Sequence, residues 1–306
     1  MTLADLLRFD LVPLLTAILA AVACALPGNI LLLRREALTA DAVSHAVLPG
    51  LVLAFALGGS AATLPLLAGA MGAALAALAL IRLLHGRLGV ERSTATGVVF
   101  TTFFAGGFVL IERLGVRDTN FDIHTALFGN LETNVWLAAT GPGSLLDPAA
   151  LAEMPGVLPR AALAAATAVV VVTVAFKELR LLAFDETFGR TVGAPVAVAT
   201  ALLYAVTALT CVLALEAVGA IIVVAMFVCP AAAARCLTDD LRRQVVLSAG
   251  LAVLGAAAGY LGAVALPAAL GLSRSFNAAG SIAVAAGLIQ VAAMVADARR
   301  REAARA

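Results

Sequence analysis

Runs of about twenty apolar residues recur along almost the whole chain of 306 residues, and about twenty is the length that a helix needs to cross the hydrocarbon core of a bilayer. Hydrophobic residues make up 63% of the chain and charged residues only 13%, against about 25% charged in soluble domains. The runs lack the polar and apolar alternation of a membrane β-barrel strand. Because backbone polar groups in lipid must be satisfied internally, we predict an all-α integral membrane protein, a polytopic bundle of about eight to nine transmembrane helices.

The candidate spans leave one long polar stretch, residues 114–160, between the fourth and the fifth. That stretch is too polar to cross a bilayer, although part of it is compatible with a short re-entrant or interfacial helix. The sequence shows no soluble block large enough for another domain, so we interpret residues 1–306 as a single transmembrane domain. The candidate spans are residues 13–33, 39–58, 63–84, 94–113, 161–181, 195–215, 218–237, 246–266 and 277–296.

The positions of the basic residues predict the orientation of the chain. Loops on the cytoplasmic side of membrane proteins carry an excess of lysine and arginine. With the N-terminus outside, nine spans place most of the 20 basic residues on the inner side. We therefore expect a cytoplasmic C-terminus and an outward-facing segment 114–160. The basic residues left outside are Arg8, Arg113, Arg117, Arg160 and Arg274.

An aspartate and a histidine lie four residues apart in the string LTADAVSHAVLPGLVLAF, residues 38–55. Residues at i and i+4 share one face of a helix, so Asp41 and His45 point the same way. His45 lies ten residues beyond Arg35, or about 15 Å along a helix, which is near the middle of the bilayer. Ionisable groups at that depth usually face a bundle interior or a water-filled path. Three interpretations stay open: helix capping with structural packing, a proton relay, and a metal-cation path.

A metal path would need more ligands than one helix supplies. Carboxylate oxygen and imidazole nitrogen suit Mn²⁺, Fe²⁺ and Zn²⁺, and a two-fold homodimer would bring two of each to its axis. Pro49 and Gly50 follow the pair. Proline lacks the N–H that would bond the carbonyl of His45, and it favours a kink there.

The longer string resembles the family-3 ABC permeases, the membrane subunits of bacterial manganese, zinc and iron(II) importers. Ala40 stands where that family's motif has glycine, and Glu186 stands where proline is usual. The resemblance covers about residues 35–290, and its motifs occur in order along the chain. The matching strings are ALTADAVSHAVLPGLVLAFALG, ERSTATGVVFTTFFAGGFVLI, DIHTALFGNLE, FKELRLLAFDETFGRTVG and VGAIIVVAMFVCPAAAARCL.

The resemblance implies a multi-pass import permease in the bacterial cytoplasmic (inner) membrane. Its expected partners are a cytoplasmic ABC ATPase dimer, an extracytoplasmic metal-binding protein, and a second permease copy in a homodimer or heterodimer. It implies that Asp41 and His45 line the translocation path. We expect no permanently bound cofactor and no nucleic-acid partner, because the divalent metal is cargo and the partner subunit uses the ATP. The string FKELRLLAFD favours Mn²⁺ or Fe²⁺ over Zn²⁺, which is the alternative.

No phosphate-binding loop of the G-x-x-x-x-G-K-[ST] type occurs in the sequence, so the chain is expected to be a transport subunit without its own ATPase motif. The candidate docking segment is residues 184–195. Asp185 and Glu186 are suited to begin a short helix there, and Gly193 with Pro195 to end it. The residues assigned to docking are Phe184, Asp185, Glu186, Phe188 and Gly193.

Asp122 and His124 are weak candidates for a metal entry site in the outward segment, and surface structure is the alternative. Two other functions remain open for the chain as a whole. One is a secondary transporter coupled to an ion gradient, with Asp41 and His45 as its proton or metal relay. The other is a membrane scaffold, in which those two residues have no transport role.

Overall fold

The computed structural model describes residues 5–58, 63–114, 131–271 and 276–303. Within these ranges nine helices are long and apolar enough to cross a membrane. The predictions of an all-α polytopic bundle and of its number of spans are therefore confirmed. The spanning helices are α1 (Leu11–Leu33), α2 (Leu38–Gly58), α3 (Thr63–Leu88), α4 (Arg92–Arg113), α6 (Val157–Val174), α9 (Val196–Val218), α10 (Ala220–Leu237), α11 (Leu241–Ala269) and α12 (Ala278–Ala303).

Shorter helical elements connect or precede the spanning helices. A π-helical turn, Leu6–Asp10, leads into α1, and 3₁₀ turns cover Leu131–Thr133 and Pro142–Leu145. None of the described elements between residues 131 and 156 is long enough to span a bilayer, as the polarity of that stretch predicts. The three short α-helices are α5 (Pro148–Ala152), α7 (Phe176–Phe184) and α8 (Glu186–Thr191).

The fifth span ends earlier than the sequence predicted. We expected it to continue to residue 181, but α6 ends at Val174 and α7 begins at Phe176 after a break at Ala175. The physical reason is the charge pattern of α7, which carries Lys177, Glu178 and Arg180 between apolar positions. Such an amphipathic segment is stable at the membrane surface with its apolar face packed inward, and Leu179 and Leu182 are the buried residues of that face.

The helices pack in two groups that meet along α2 and along the contact of α3 with α9. In the first group, α2 lies against α3 and α4. In the second, α1 contacts α6, α9, α10 and α11, while α12 packs on α10 and α11. Helices α1 and α9 are the most buried spans, and the outer helices expose leucine and valine. Because α2 also contacts α9 and α10, its polar residues lie where the two groups meet.

Polar contacts join the loops at each end of the bundle. We call one end the arginine end, because four elements meet there around Arg34. These elements are the α1–α2 turn (residues 34–37), the start of α4 and the helices α7 and α8. At the opposite end, Arg8 donates to the carbonyl of Leu137 and Arg160 pairs with Glu216. Successive loops lie at opposite ends of the bundle, because each spanning helix crosses it once.

Candidate functional site

The aspartate and the histidine of α2 lie side by side, as their spacing predicts. Asp41 belongs to the first turn of α2, and its Oδ1 lies 3.4 Å from Nε2 of His45. Both side chains are partly exposed. Nδ1 of His45 is buried and has no hydrogen-bond partner among the described residues. One imidazole nitrogen therefore faces the carboxylate, and the pair opens toward space that the rest of the described chain leaves free.

The spacing of the pair suits a shared metal ion. Two ligands each about 2.1 Å from a metal, at a tetrahedral angle, lie about 3.4 Å from one another. The described residues contain no group of three or more histidine, cysteine, aspartate or glutamate side chains placed to hold a metal. Asp41 and His45 would therefore supply two ligands, and the rest would come from water, a carbonyl oxygen or another chain.

Two phenylalanine rings of α4 cover the imidazole of His45. The ring centroids of Phe100 and Phe104 lie 5.1 and 5.2 Å from that of His45, and both contacts are edge-on. The two phenylalanine rings stack on each other at 5.9 Å. Because these apolar rings cover one side of the imidazole, the side that faces the Asp41 carboxylate is the polar, open side of the pair. The i, i+4 spacing of Phe100 and Phe104 is visible in the sequence, but nothing there indicates that this face meets α2.

Pro49 lies inside α2, which continues to Gly58. Because proline has no N–H, the carbonyl of His45 lacks the donor that a helix normally provides. Gly50, the next residue, makes a close contact between helices that the sequence did not indicate. A Cβ atom at Gly50 would lie 2.2 Å from the carbonyl oxygen of Gly69 on α3, and one at Gly69 would lie 2.4 Å from the carbonyl oxygen of Gly50. These two glycines therefore allow the backbones of α2 and α3 to touch beside the pair.

Gly50→Ala is expected to destabilise the protein by about 1–3 kcal/mol, the usual cost of overpacking, because the carbonyl of Gly69 cannot move aside as a side chain would. The measurement is the unfolding midpoint of the detergent-purified protein. Gly72→Ala is the matched control, since it adds the same methyl group to α3 with no atom within 4 Å. Equal midpoints for the two variants would show that the close contact contributes nothing to stability.

A buried ionic cluster at the arginine end was not foreseen from the sequence. Glu36 lies in the α1–α2 turn with its side chain 0% exposed. It accepts hydrogen bonds from Nε of Arg34 at 2.7 Å, from the hydroxyl of Tyr204 at 2.9 Å and from Arg92. Arg34 also reaches Glu186 of α8. We call these five residues, Arg34, Glu36, Arg92, Glu186 and Tyr204, the Glu36 cluster.

The docking segment forms the short helix that its sequence predicts. Asp185 is the N-cap of α8, and its carboxylate accepts a hydrogen bond from the amide of Phe188 at 2.7 Å. Gly193 follows the end of helix α8 and has a φ of 74°, in the left-handed region that favours glycine. Phe184 and Phe188 are exposed at 58% and 54%. The segment thus presents two aromatic rings outward, while Glu186 turns toward Arg34.

The charges of Glu186 and Arg34 are stable at neutral pH. Burial alone would raise the pKa of Glu186, but its hydrogen bonds and ion pairs with Arg190 and Arg34 lower that pKa below its ordinary value. Burial opposes the charge of Arg34, yet Glu36 raises the pKa of that guanidinium. Both groups therefore stay ionised, and the contact between α8 and the α1–α2 turn is an ion pair throughout the neutral range.

The weak entry-site candidates, Asp122 and His124, lie outside the described residues. The part of segment 114–160 that the structure describes folds onto the start of the chain. Trp136 is buried, its indole N–H donates to the carbonyl of Ala150 at 2.8 Å, and its amide donates to the carbonyl of Arg8 at 2.8 Å. The entry-site prediction therefore stays a prediction.

The family model described as the ABC 3 transport family matches residues 9–136 and 158–296. These ranges include the Asp41–His45 pair, the Glu36 cluster and the docking segment. The chain belongs to the ABC 3 transport family. The resemblance inferred from the five sequence motifs is thereby confirmed, and the pair on α2 is part of an ABC 3 family membrane subunit.

Relatives of this ABC 3 family member include bacterial transport proteins with metals in their names. The manganese transport system membrane protein MntD of Bacillus subtilis is 36% identical over 80% of each chain. The chelated iron transport system membrane protein YfeD of Yersinia pestis is 31% identical over 81% of this chain and 74% of its own. Among solved structures, PsaBC from Streptococcus pneumoniae in complex with Fab matches with a TM-score of 0.71, 28% identity, and coverage of 94% of this chain and 92% of that chain.

Proposed function

We propose that this chain is the membrane-spanning permease of an ABC importer for divalent transition-metal ions, with Mn²⁺ or Fe²⁺ as the favoured cargo. The observation that carries the proposal is the Asp41–His45 pair, whose 3.4 Å spacing suits two ligands of one metal ion. The pair lies on α2, which contacts helices of both packing groups, within a chain of the ABC 3 family. The names of the manganese and chelated-iron relatives support the choice of cargo. A zinc importer of the same family is the alternative, because the same ligands also suit Zn²⁺.

A second permease copy would complete the metal site. In a two-fold dimer whose axis passes beside α2, the two copies of the pair would supply two carboxylates and two imidazoles. Such oxygen and nitrogen ligands hold Mn²⁺ or Fe²⁺ less firmly than a thiolate set holds a soft metal. A transport site needs that property, since an ion that binds too tightly is not released.

The energy for import would come from a cytoplasmic ATPase dimer bound to the docking segment. The exposed rings of Phe184 and Phe188, on the capped helix α8, support this role because aromatic residues are enriched at protein interfaces. The excess of basic residues at the arginine end supports placing that end, and the C-terminus, in the cytoplasm. An extracytoplasmic metal-binding protein would then deliver the ion at the opposite end, where residues 131–156 lie.

The test is ATP-dependent uptake of radioactive Mn²⁺ by proteoliposomes that contain the permease together with its cognate ATPase and metal-binding protein. We expect uptake only with ATP, reduced by unlabelled Mn²⁺ or Fe²⁺ more strongly than by Zn²⁺. Stronger competition by Zn²⁺ would select the zinc alternative. Uptake that needs an ion gradient and no ATP would identify a secondary transporter, and a complex that moves no metal would overturn the proposal.

A further inference from the structure

The Glu36 cluster links the docking segment to the helix that carries Asp41 and His45. Its first connection is Arg34, whose Nη2 donates to Glu186 of α8 at 3.2 Å. Nη1 of the same guanidinium donates to the carbonyl of Leu182, near the end of α7, at 3.1 Å. The Arg34 side chain is only 3% exposed, so solvent screens these interactions little. One arginine therefore holds both short helices of the arginine end.

The second connection runs from Arg34 into α2. Nε of Arg34 donates to Glu36 at 2.7 Å. The carbonyl of Glu36 accepts the amide of Thr39, in the first turn of α2, at 2.9 Å. Thr39 precedes Asp41 by two residues. A displacement of Glu36 therefore acts directly on the start of the helix that positions the Asp41–His45 pair.

The turn between α1 and α2 has little freedom to absorb such a displacement. The amide of Glu36 donates to the carbonyl of Leu31 at 2.8 Å, and the amide of Arg35 donates to that of Leu32 at 3.0 Å. Arg35 has a φ of 60°, and this combination is the Schellman motif that ends many helices. Because main-chain bonds on both sides hold Glu36, force on its side chain moves helix ends instead of distorting a flexible loop.

The Glu36 cluster has free volume beside it. A cavity of about 440 Å³ opens beside the ion pairs, and its walls include Arg34, Glu186, Arg190 and Tyr204. Packed protein interiors resist gradual deformation, so free volume next to a charged link allows the partners to shift together. The cavity lies among the docking helix α8, the spanning helix α9, which carries Tyr204, and the last turns of α3.

We propose that the Glu186–Arg34–Glu36 link transmits movement of the docking helix to α2, so that Glu186 and Arg34 are positioning residues for the Asp41–His45 pair. The inference rests on the proposed function and deepens it. ATP-driven movement of α8 pulls on Arg34 through Glu186, and Arg34 passes the displacement to Glu36 and the start of α2. Loss of the link would leave ATP hydrolysis running without moving the metal site.

The experiment compares Glu186→Gln with Arg190→Gln in the reconstituted complex. Both variants lose the charge pair between Glu186 and Arg190 within α8, where the two groups lie 2.7 Å apart. Only Glu186→Gln also loses the ion pair to Arg34. The measured quantity is the number of metal ions imported per ATP hydrolysed, and ATPase binding and the unfolding midpoint are recorded for each variant. A change in docking strength alone alters hydrolysis and import together and leaves this ratio unchanged.

Glu186→Gln is expected to lower the ratio at least about fivefold, the lower limit of typical coupling between sites, while Arg190→Gln keeps the wild-type ratio. The inference is overturned by an unchanged ratio in Glu186→Gln, or by an equal fall in both variants, which would assign the effect to α8 itself. Wild-type complex that imports no metal with ATP contradicts the proposed function instead, so the two failures are distinguishable.

Discussion

His45→Ala and Asp41→Asn are expected to reduce ATP-dependent Mn²⁺ uptake to the background of empty proteoliposomes. In the proposed site, His45→Ala removes one of the two metal ligands of the chain, and Asp41→Asn removes the negative charge of the other. Loss of a residue that merely orients a metal ligand typically costs 10- to 100-fold, so loss of a ligand itself is expected to cost at least about 100-fold. The measurement is the initial rate of uptake at saturating ATP, normalised to the amount of permease in the membrane.

Matched controls come from residues of the same types away from the pair. His85 is exposed at the arginine end, where its Nδ1 lies 2.9 Å from the carbonyl oxygen of Val90. Asp239 has a side chain that is 99% exposed. His85→Ala and Asp239→Asn are expected to import at the wild-type rate. Normal uptake by both variants of the pair would show that Asp41 and His45 are structural, even if the chain remains a metal permease.

Glu36→Gln is expected to destabilise the protein by about 3–5 kcal/mol, the usual cost of removing one partner from a buried ionic group. Glutamine has nearly the same shape, but it removes the carboxylate that Arg34 and Arg92 both contact and leaves Arg34 only its ion pair with Glu186. Because the Glu36 side chain is fully buried, water cannot replace that charge. The measurement is the unfolding midpoint in detergent, together with the yield of folded protein from the membrane.

Glu91→Gln provides the comparison for this effect, since it makes the same change at the start of α4. Glu91 is exposed and accepts a hydrogen bond from Ser93 at 2.8 Å. Its replacement is expected to change stability by less than about 0.5 kcal/mol, as is usual for surface positions. Similar midpoints for the two variants would mean that the Glu36 cluster contributes no net stability to the folded state.

The membrane spans and the Asp41–His45 pair were predictable because both depend on local sequence periodicity. A run of sufficient apolar length forms a helix in lipid whatever its neighbours are. The spacing of Asp41 and His45 places them on one face of any helix. The N-cap at Asp185 is local in the same sense, because its partner, the amide of Phe188, lies three residues away.

The surroundings of the pair were not predictable, because they depend on contacts between distant parts of the chain. Arg92 and Tyr204 reach Glu36 across 56 and 168 residues. Phe100 and Phe104 belong to a different helix from His45, and only the packing of α4 on α2 determines which face they present. The early end of α6 depends on where the charges of α7 meet the membrane surface. A prediction of spans from the length of apolar runs does not detect that position.

The contact between Gly50 and Gly69 restricts how the proposed metal path is able to open. With the two backbones touching, neither α2 nor α3 is free to rotate about its own axis, because rotation would drive a neighbouring side chain into the opposing carbonyl. The remaining freedom is a tilt of the two helices as one rigid body. Asp41 and His45 would then keep their direction within that body, and a displacement passed to the start of α2 would tilt the pair together with α3 and change the side to which it opens.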